Sequence, residues 1–259
     1  MFNPQQSGEY TVTHSFQNKI AVVTGASSGI GLGIAQELAA LGATVIITGR
    51  DKNKLESALS TLGPDASQFQ VDVSSLSELD NFYKQILSRF GRIDILIANA
   101  GMGEFEPLGQ ITPEKFDRQF TTNVRGITFT VQKALPLMKP GSSIIITGST
   151  ASINPGQGLS VYGGTKAALR AMVRSWILDI KGAGVRINIL SPGPVDTQSL
   201  HDFLPDPVDA ILQSLRDRSP IGRIGQTDEI AKAVVFLASD DASYINGAEI
   251  FADGGASQI

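Results

Sequence analysis

IAVVTGASSGIG, residues Ile20 to Gly31, decides the fold. Its first half, Ile20 to Thr24, is apolar and rich in Val, the composition of a short buried strand. Glycines follow at Gly25, Gly29 and Gly31, and then Ile34, Leu38 and Leu41 recur at spacings of four and three, a helical period. The reading is therefore strand, glycine turn, helix start. Glycines at such a turn, with Ser27 and Ile30 between them, let the main chain approach a pyrophosphate, whose charge the free N–H groups of the helix amino terminus favour. The Gly-x-x-x-Gly-x-Gly spacing departs from the Gly-x-Gly-x-x-Gly of many dinucleotide folds.

Working outward, the same alternation continues. Strands are expected at Thr44 to Thr48, Gln68 to Val71, Ile93 to Ala98, Ser143 to Thr147, Arg186 to Leu190 and Glu249 to Ala252. Between them, Leu55, Leu59 and Leu62 mark a short helix that stops before Gly63-Pro64, and Leu76 to Phe90 marks a longer one. Thr112-Pro113-Glu114 caps a further long helix, Ala167 to Ile180 continues another, and Thr227 to Ala238 is the last. Strands alternating with helices predict one α/β domain, a doubly wound, mostly parallel seven-stranded sheet with helices on both faces. The domain should run from 18 to 259 behind a polar amino-terminal extension, 1 to 17. Residues 198 to 220 hold three prolines, the last at their end, and scattered leucines, and are expected to form a mobile lid in which Phe203 and Leu204 can contact a ligand while the lone His201 reads as exposed.

Composition narrows the function. A chain of 259 residues with 42% apolar residues can bury one substantial core. The net charge of -4 without any Lys/Arg-rich run argues against nucleic acid. The absence of cysteine excludes thiol catalysis, disulfides and cysteine-held zinc, and only His14 and His201 are present, too few for a histidine metal motif. His14 reads as an exposed residue of the leader. With no signal-like segment and no apolar run of roughly 18 residues, a cytoplasmic protein is expected.

Chemistry concentrates in TGSTASINPGQGLSVYGGTK, Thr147 to Lys166. Tyr162 and Lys166 share a helix face one turn apart. A nearby ammonium favours phenolate, which would make the tyrosine a usable acid or base near neutrality. Ser149 can hold the same substrate oxygen by a hydrogen bond. Gly163-Gly164 inside this helix costs roughly 0.8 to 1.0 kcal/mol per glycine against Ala, which suggests a close backbone neighbour. Gly49-Arg50-Asp51 ends the second strand without a carboxylate at its tip, and the Arg50 guanidinium can grip a 2′-phosphate, with Ser27 as an additional contact; a solvated arginine beside Asp51 is the bland alternative. The Asn99 amide can tie neighbouring strands. Met102, Glu104 and Phe105 follow the fourth strand at the sheet edge where ligands bind, and Gln157 lies in a loop beside the Ser149–Tyr162 segment. Asn123, an amide in a helix interior, calls for a functional reason.

Thr24 to Gly31, Asn99-Ala100-Gly101, Asn123, Ser149, Tyr162, Lys166 and Pro192-Gly193 together resemble the short-chain dehydrogenase/reductase family, in its order and spacing over nearly the whole chain. NVRGITFTVQKALPLM, SPGPVDT and VVFLASDDASYINGAEIFADGG look closest to bacterial secondary-alcohol dehydrogenases that use NADPH. The resemblance implies a Rossmann-type fold and hydride transfer between NADP(H), in preference to NAD(H), and a ketone or secondary alcohol. Tyr162 would move the proton, Lys166 would lower its pKa and hold ribose hydroxyls, Ser149 would position the oxygen and Asn123 would support a water relay. It also implies that Asp72 and Val73 line the adenine and that Asn99, Ala100 and Gly101 flank the ribose. The backbone of Pro192, Gly193 and Val195 with the Thr197 hydroxyl would fix the nicotinamide. Relatives pair two long helices across a subunit interface, so a homotetramer is expected, with no metal. Rival readings are a 3-oxoacyl thioester, sugar or steroid dehydrogenase on the same scaffold, or a regulatory protein that senses NADP without turnover.

Overall fold

The computed structural model describes residues 15–258. His14 and most of the expected leader lie outside the described residues, but Phe16 is in the core at 3% exposure, and its N–H bonds to the Leu41 carbonyl at 2.8 Å. The packed domain therefore reaches back past the expected start at Asn18.

The strands are β1 (Ile20–Thr24), β2 (Thr44–Gly49), β3 (Ser67–Gln70), β4 (Ile93–Ala98), β5 (Met138–Thr147), β6 (Arg186–Pro192) and β7 (Glu249–Ala252). They form one sheet in the order β3-β2-β1-β4-β5-β6-β7, and every neighbouring pair is parallel, so the expected mostly parallel sheet is parallel throughout. Alternate residues face opposite layers: Ala21 and Val23 of β1 enter one apolar cluster, Ile20 and Val22 the other. The first cluster is filled by α1 (Gly29–Ala40), α2 (Lys52–Leu59) and α9 (Thr227–Ala238), the second by α3 (Leu76–Phe90), α5 (Ile127–Ala134) and α6 (Ser160–Asp179). Ile34 and Leu38 of α1 are fully buried, each worth roughly 1.5–3 kcal/mol relative to exposure.

Strand order reverses between β1 and β4, so the crevice beyond their carboxyl ends is the place where an open sheet of this kind binds ligands. The segment after Thr112 is the main departure from expectation. It is not one α-helix but α4 (Pro113–Phe120), a π-helical stretch Thr121–Gly126, and α5. Thr112 caps α4 as anticipated, accepting from the Lys115 N–H at 3.4 Å. The widened turn seats Gly126 against Val73, where an added Cβ would lie 3.0 Å from Val73 Cγ2, and turns Asn123 inward to complete burial. Such widened turns are frequent at functional sites. The 198–220 stretch folds as two helices, α7 (Gln198–Phe203) and α8 (Val208–Asp217).

Candidate active site

β5 ends at Thr147 and delivers Ser149, whose extended backbone opens a 3₁₀ turn, Thr150–Ser152. Ser149 Oγ accepts the Ala151 N–H at 3.1 Å, so its own O–H points away from the turn and can donate on the side of the crevice and Tyr162. Tyr162 and Lys166 lie in the first turns of α6, and the lysine is 5% exposed. Its Nζ donates to the Thr147 carbonyl at 2.8 Å and stands 5.8 Å from the Tyr162 ring centroid. The three side chains thus meet where β5 and α6 converge.

The electrostatics differ from the simple expectation. Burial pushes the Tyr162 phenol up, and a hydrogen bond with Ser149 pulls it back. Burial also pushes Lys166 down from 10.5 to about 8. The neighbouring ammonium therefore does not by itself bring the phenol into the neutral range, because desolvation opposes the charged form of both groups. Ser149 is the side chain that moderates the tyrosine.

Asn123 is wholly buried and closely bonded. Its Nδ2 donates to the Met102 carbonyl at 2.7 Å and to Thr165 Oγ1 at 3.1 Å, while its Oδ1 accepts the Met102 N–H at 2.9 Å. The amide therefore clamps the loop after β4 to the residue preceding Lys166. A Cβ placed on Gly101 would sit 3.4 Å from Asn123 Oδ1 and 3.6 Å from Lys166 Nζ, so these three residues border one small volume.

The dinucleotide cradle is built by close approach. Gly25, at φ 65, follows β1, and a Cβ there would lie 2.7 Å from Ala100 Cα. At Gly31 a Cβ would lie 2.4 Å from the Gly25 carbonyl and 2.5 Å from Asn99 Nδ2, so no larger residue fits without movement. Asn99 Nδ2 donates to the Thr24 and Gly25 carbonyls at 3.0 and 3.1 Å, and its Oδ1 accepts from Thr147 Oγ1 at 3.0 Å, which ties β1, β4 and β5 together. Helix α1 has Ser28 at its cap position with no side-chain cap, whereas Asp51, Ser75 and Thr112 cap α2, α3 and α4. The first N–H groups of α1, around Gly29 and Ile30, thus stay open to an anion. A Cβ on Gly29 would stand 3.5 Å from Thr197 Cγ2, so that threonine overlooks the same spot. These features fit a pyrophosphate.

At the end of β2, a Cβ on Gly49 would lie 3.1 Å from Ser27 Oγ, which places the serine hydroxyl beside exposed Arg50. Asp51 turns its carboxylate to the Lys54 N–H at 3.1 Å, capping α2. Asp72 Oδ1 accepts from the Ser74 amide and hydroxyl at 2.8 and 2.7 Å, so it shapes the approach to α3. Val73 is 4% exposed and packs on Gly126. Gly193, after Pro192, is pressed on Asp253, and Val195 is buried. Thr197 caps α7, accepting the Leu200 N–H at 3.2 Å.

Of the residues expected to meet a substrate, Met102 is held by its backbone to Asn123, as above. Glu104 pairs with Arg118, whose Nε donates to Oε1 at 2.8 Å, so it is engaged along α4. Gln157 is exposed. The aromatic rings are better placed. Phe203 of α7 has its centroid 6.0 Å from that of Tyr162, and a Cβ on Gly103 would lie 2.9 Å from the Phe203 edge. Phe105 lies on Gly158, where a Cβ would meet the ring at 2.5 Å. His201 pairs with Asp196 at 2.9 Å on the surface. Thr165, which bonds Asn123 and the Tyr162 carbonyl, was not anticipated; only its place between the tyrosine and the lysine signals it.

The family model described as Enoyl-(Acyl carrier protein) reductase matches residues 25–257. An oxidoreductase of Sarocladium schorii is 41% identical over 243 residues, covering 93% of this chain and 96% of that protein. An uncharacterized oxidoreductase of Methylorubrum extorquens is 36% identical over 245 residues, covering 92% and 98%. A trihydroxynaphthalene reductase of Pestalotiopsis fici is 31% identical over 255 residues, covering 93% and 90%. Among solved structures, one from Brucella melitensis, described as a short-chain dehydrogenase/reductase and glucose/ribitol dehydrogenase, superposes with a TM-score of 0.89 at 29% identity, covering 94% of this chain and 98% of that one.

Proposed function

The chain belongs to the short-chain dehydrogenase/reductase family, and from that premise we propose that it interconverts ketones and secondary alcohols with NADP(H). The observation that carries this reading is the meeting of Ser149, Tyr162 and Lys166 at the carboxyl end of β5. When bound, the reduced nicotinamide supplies hydride to the carbonyl carbon. The Ser149 O–H donates to the carbonyl oxygen and polarises it. The Tyr162 hydroxyl, beside Ser149, gives that oxygen its proton. Lys166, protonated below about 8, faces the phenolate that remains and favours it. Recharging of the tyrosine would run through the volume that Lys166, Asn123 and Gly101 share.

The cofactor residues fall into groups by chemistry. Gly25, Gly29, Ile30 and Gly31 would hold the pyrophosphate at α1, and Asn99, Ala100, Gly101 and Lys166 the adjoining ribose. Pro192, Gly193, Val195 and Thr197 would hold the carboxamide, and Asp72 and Val73 the adenine. Ser27 and Arg50 would take a 2′-phosphate, and Gly49 puts no carboxylate there to repel it, which favours NADP(H) over NAD(H).

Phe203 near Tyr162, with Phe105 on Gly158, favours a ketone with a flat aromatic body over a small aliphatic one, since aromatic faces pack best on aromatic rings. Relatives described as hydroxynaphthalene reductases are consistent with that preference. We further propose a homotetramer built partly on α4 to α6. A groove of about 380 Å³ with Phe120, Val124 and Phe129 in its wall and the 70% exposed Leu178 are the apolar surfaces a second copy would cover.

The test is loss of nicotinamide absorbance with aliphatic and aromatic ketones and each cofactor, for the wild type and Tyr162→Phe. NADPH-linked turnover that falls at least about a hundredfold in the variant is expected. Full activity in Tyr162→Phe would remove the mechanism, a preference for NADH would remove the role of Arg50, and cofactor binding without any turnover would favour the sensing protein.

A further inference from the structure

Glu249, on the last strand, is a carboxylate that the mechanism above does not use, yet its side chain is only 7% exposed. Burying a carboxylate is costly unless donors surround it. Here two hydroxyl donors and a guanidinium come from three other elements. Oε1 accepts from Ser191 Oγ of β6 at 2.6 Å and from Ser152 Oγ at 2.8 Å. Oε2 stands 2.8 Å from Arg170 Nε, a contact of charge and not a directed hydrogen bond, since Oε2 has no hydrogen-bond partner.

The places of those partners matter. Ser152 ends the 3₁₀ turn that Ser149 opens. Arg170 lies one turn beyond Lys166 on α6, the helix that carries Tyr162. Ser191 ends up against the catalytic turn as well: a Cβ on Gly148 would lie 2.2 Å from its Oγ. One carboxylate therefore joins the serine's turn, the tyrosine's helix and the two final strands.

We propose that Glu249 is a positioning residue that sets the spacing of Ser149 and Tyr162 by tying the serine's turn to α6. The proposal rests on the reading of these two residues as the acid and its oxygen-binding partner. A carboxylate suits the task because two hydroxyl donors meet one of its oxygens and a guanidinium charge faces the other. A glutamine of the same size would keep one acceptor for the serines but turn N–H groups toward the Arg170 guanidinium. An alanine would leave the two hydroxyls without this acceptor and the guanidinium without its counter-charge. Because Ser149 is the group that pulls the phenol's pKa down, slack in the turn also changes when the tyrosine titrates.

The test compares wild type with Glu249→Ala, Glu249→Gln and Ser152→Ala. The readouts are ketone-reduction kinetics across pH, NADPH affinity by nicotinamide fluorescence, and deuterium uptake by mass spectrometry. In Glu249→Ala, kcat should fall roughly 30- to 100-fold, the cost of misplacing a reacting group by about 1 Å, while NADPH affinity stays within about twofold. The limb of the kcat profile that reports the tyrosine should move to higher pH, and uptake should quicken in residues 148–158 but not in α1. A kcat within about twofold of wild type, an unmoved limb, or faster uptake throughout the chain would each overturn the proposal. If Glu249→Ala does not fold, Glu249→Gln and Ser152→Ala, which each remove fewer contacts, decide it on the same readouts. If the wild type reduces no ketone, the proposed function fails separately, and local uptake in the variants still decides whether Glu249 holds the turn.

Discussion

Replacing Asn123 with Asp keeps the side chain's size and one acceptor but removes both of its donors. In the wild type those donors reach the Met102 carbonyl at 2.7 Å and Thr165 Oγ1 at 3.1 Å. A carboxylate in the same place turns an oxygen toward a carbonyl oxygen across the gap now closed by a hydrogen bond. Two lost bonds at about 1 kcal/mol each, with buried acceptors left unpaired at about 1–3 kcal/mol, give a destabilisation of roughly 3 kcal/mol. For a domain of this size that corresponds to roughly 6–12 °C in Tm. Lys166, across Gly101, favours the charge, but it already donates to Thr147 and the facing carbonyl opposes ionisation more closely. The new carboxyl should therefore have a folded pKa above the ordinary carboxylate value. Stability is then retained below the unfolded pKa, where the neutral acid can donate to Met102, and is lost as pH rises through the folded pKa. Thermal melts of both proteins from pH 4.5 to 8 check this: the gap should be smallest at the acid end and widest at pH 8. A gap below about 2 °C at pH 8, or one that does not change with pH, would refute the clamp.

Gly31→Ala should destabilise by about 1–3 kcal/mol, because its methyl meets the Gly25 carbonyl, which is backbone, and Asn99 Nδ2, which two hydrogen bonds pin. The urea midpoint and the NADPH dissociation constant check it; an unchanged midpoint with unchanged affinity would show that the turn is looser than described. Gly164→Ala is the counterpart: nothing lies within 4 Å of the added Cβ, so a gain of about 0.5–1 kcal/mol from helix propensity is expected, and a lower midpoint refutes it. Lys166→Met tests the buried ammonium. Burial lowers that lysine from 10.5 to about 8, so the folded state carries a penalty of roughly 3 kcal/mol that is fully present below pH 8 and relieved as pH rises toward 10.5. Urea unfolding should therefore show the variant's stability relative to wild type greatest at pH 7 and shrinking by pH 10, and a constant difference would contradict the shift.

Where an element is bounded by local chemistry, its limits can be read from the chain. Leu76–Phe90, Ile93–Ala98, Thr227–Ala238 and Glu249–Ala252 coincide with the expected elements, because Ser75, Gly91 and the Gln226–Glu229 capping box act over a few residues. The π-helical turn at Thr121–Gly126 was not legible, since it depends on Gly126 meeting Val73 and Asn123 meeting Met102, both distant in sequence. The glycine pair split for the same reason. A Cβ on Gly163 would lie 2.7 Å from the Ala151 carbonyl, while Gly164 faces open space, and nothing local distinguishes them. Glu104 and Phe203 were both expected near a ligand; Glu104 pairs with Arg118, fourteen residues on, and the ring of Phe203 lies beside Tyr162, a pairing set by the course of the chain from Thr197 into α7. The role of Glu249 was hidden most fully, because its three partners lie on elements far apart in sequence and a carboxylate in a terminal strand reads as solvent-facing.

The buried polar side chains are distributed unevenly around the crevice, and that distribution has a mechanical consequence. Asn99, Asn123 and Glu249 each join segments that are remote in sequence, and each is bonded in an interior where an unpaired group would cost about 1–3 kcal/mol. Together they hold the dinucleotide turn, the loop after β4, the serine's turn and α6 against the sheet. The opposite wall holds Glu104 with Arg118 and His201 with Asp196, pairs with exposed partners that contribute about 0–1 kcal/mol, the ring contacts of Phe105 and Phe203, and one buried link, Gln119 Nε2 donating to Glu106 Oε2 at 3.2 Å. The groups proposed to move a proton thus sit where three bonded side chains cross-link remote segments, while Phe105 and Phe203, proposed to meet the substrate's body, are held by ring contacts. The proposed catalysis by positioned dipoles requires the first arrangement, and the proposed acceptance of a flat ketone would be eased by the second. Both follow from which polar atoms the fold has enclosed.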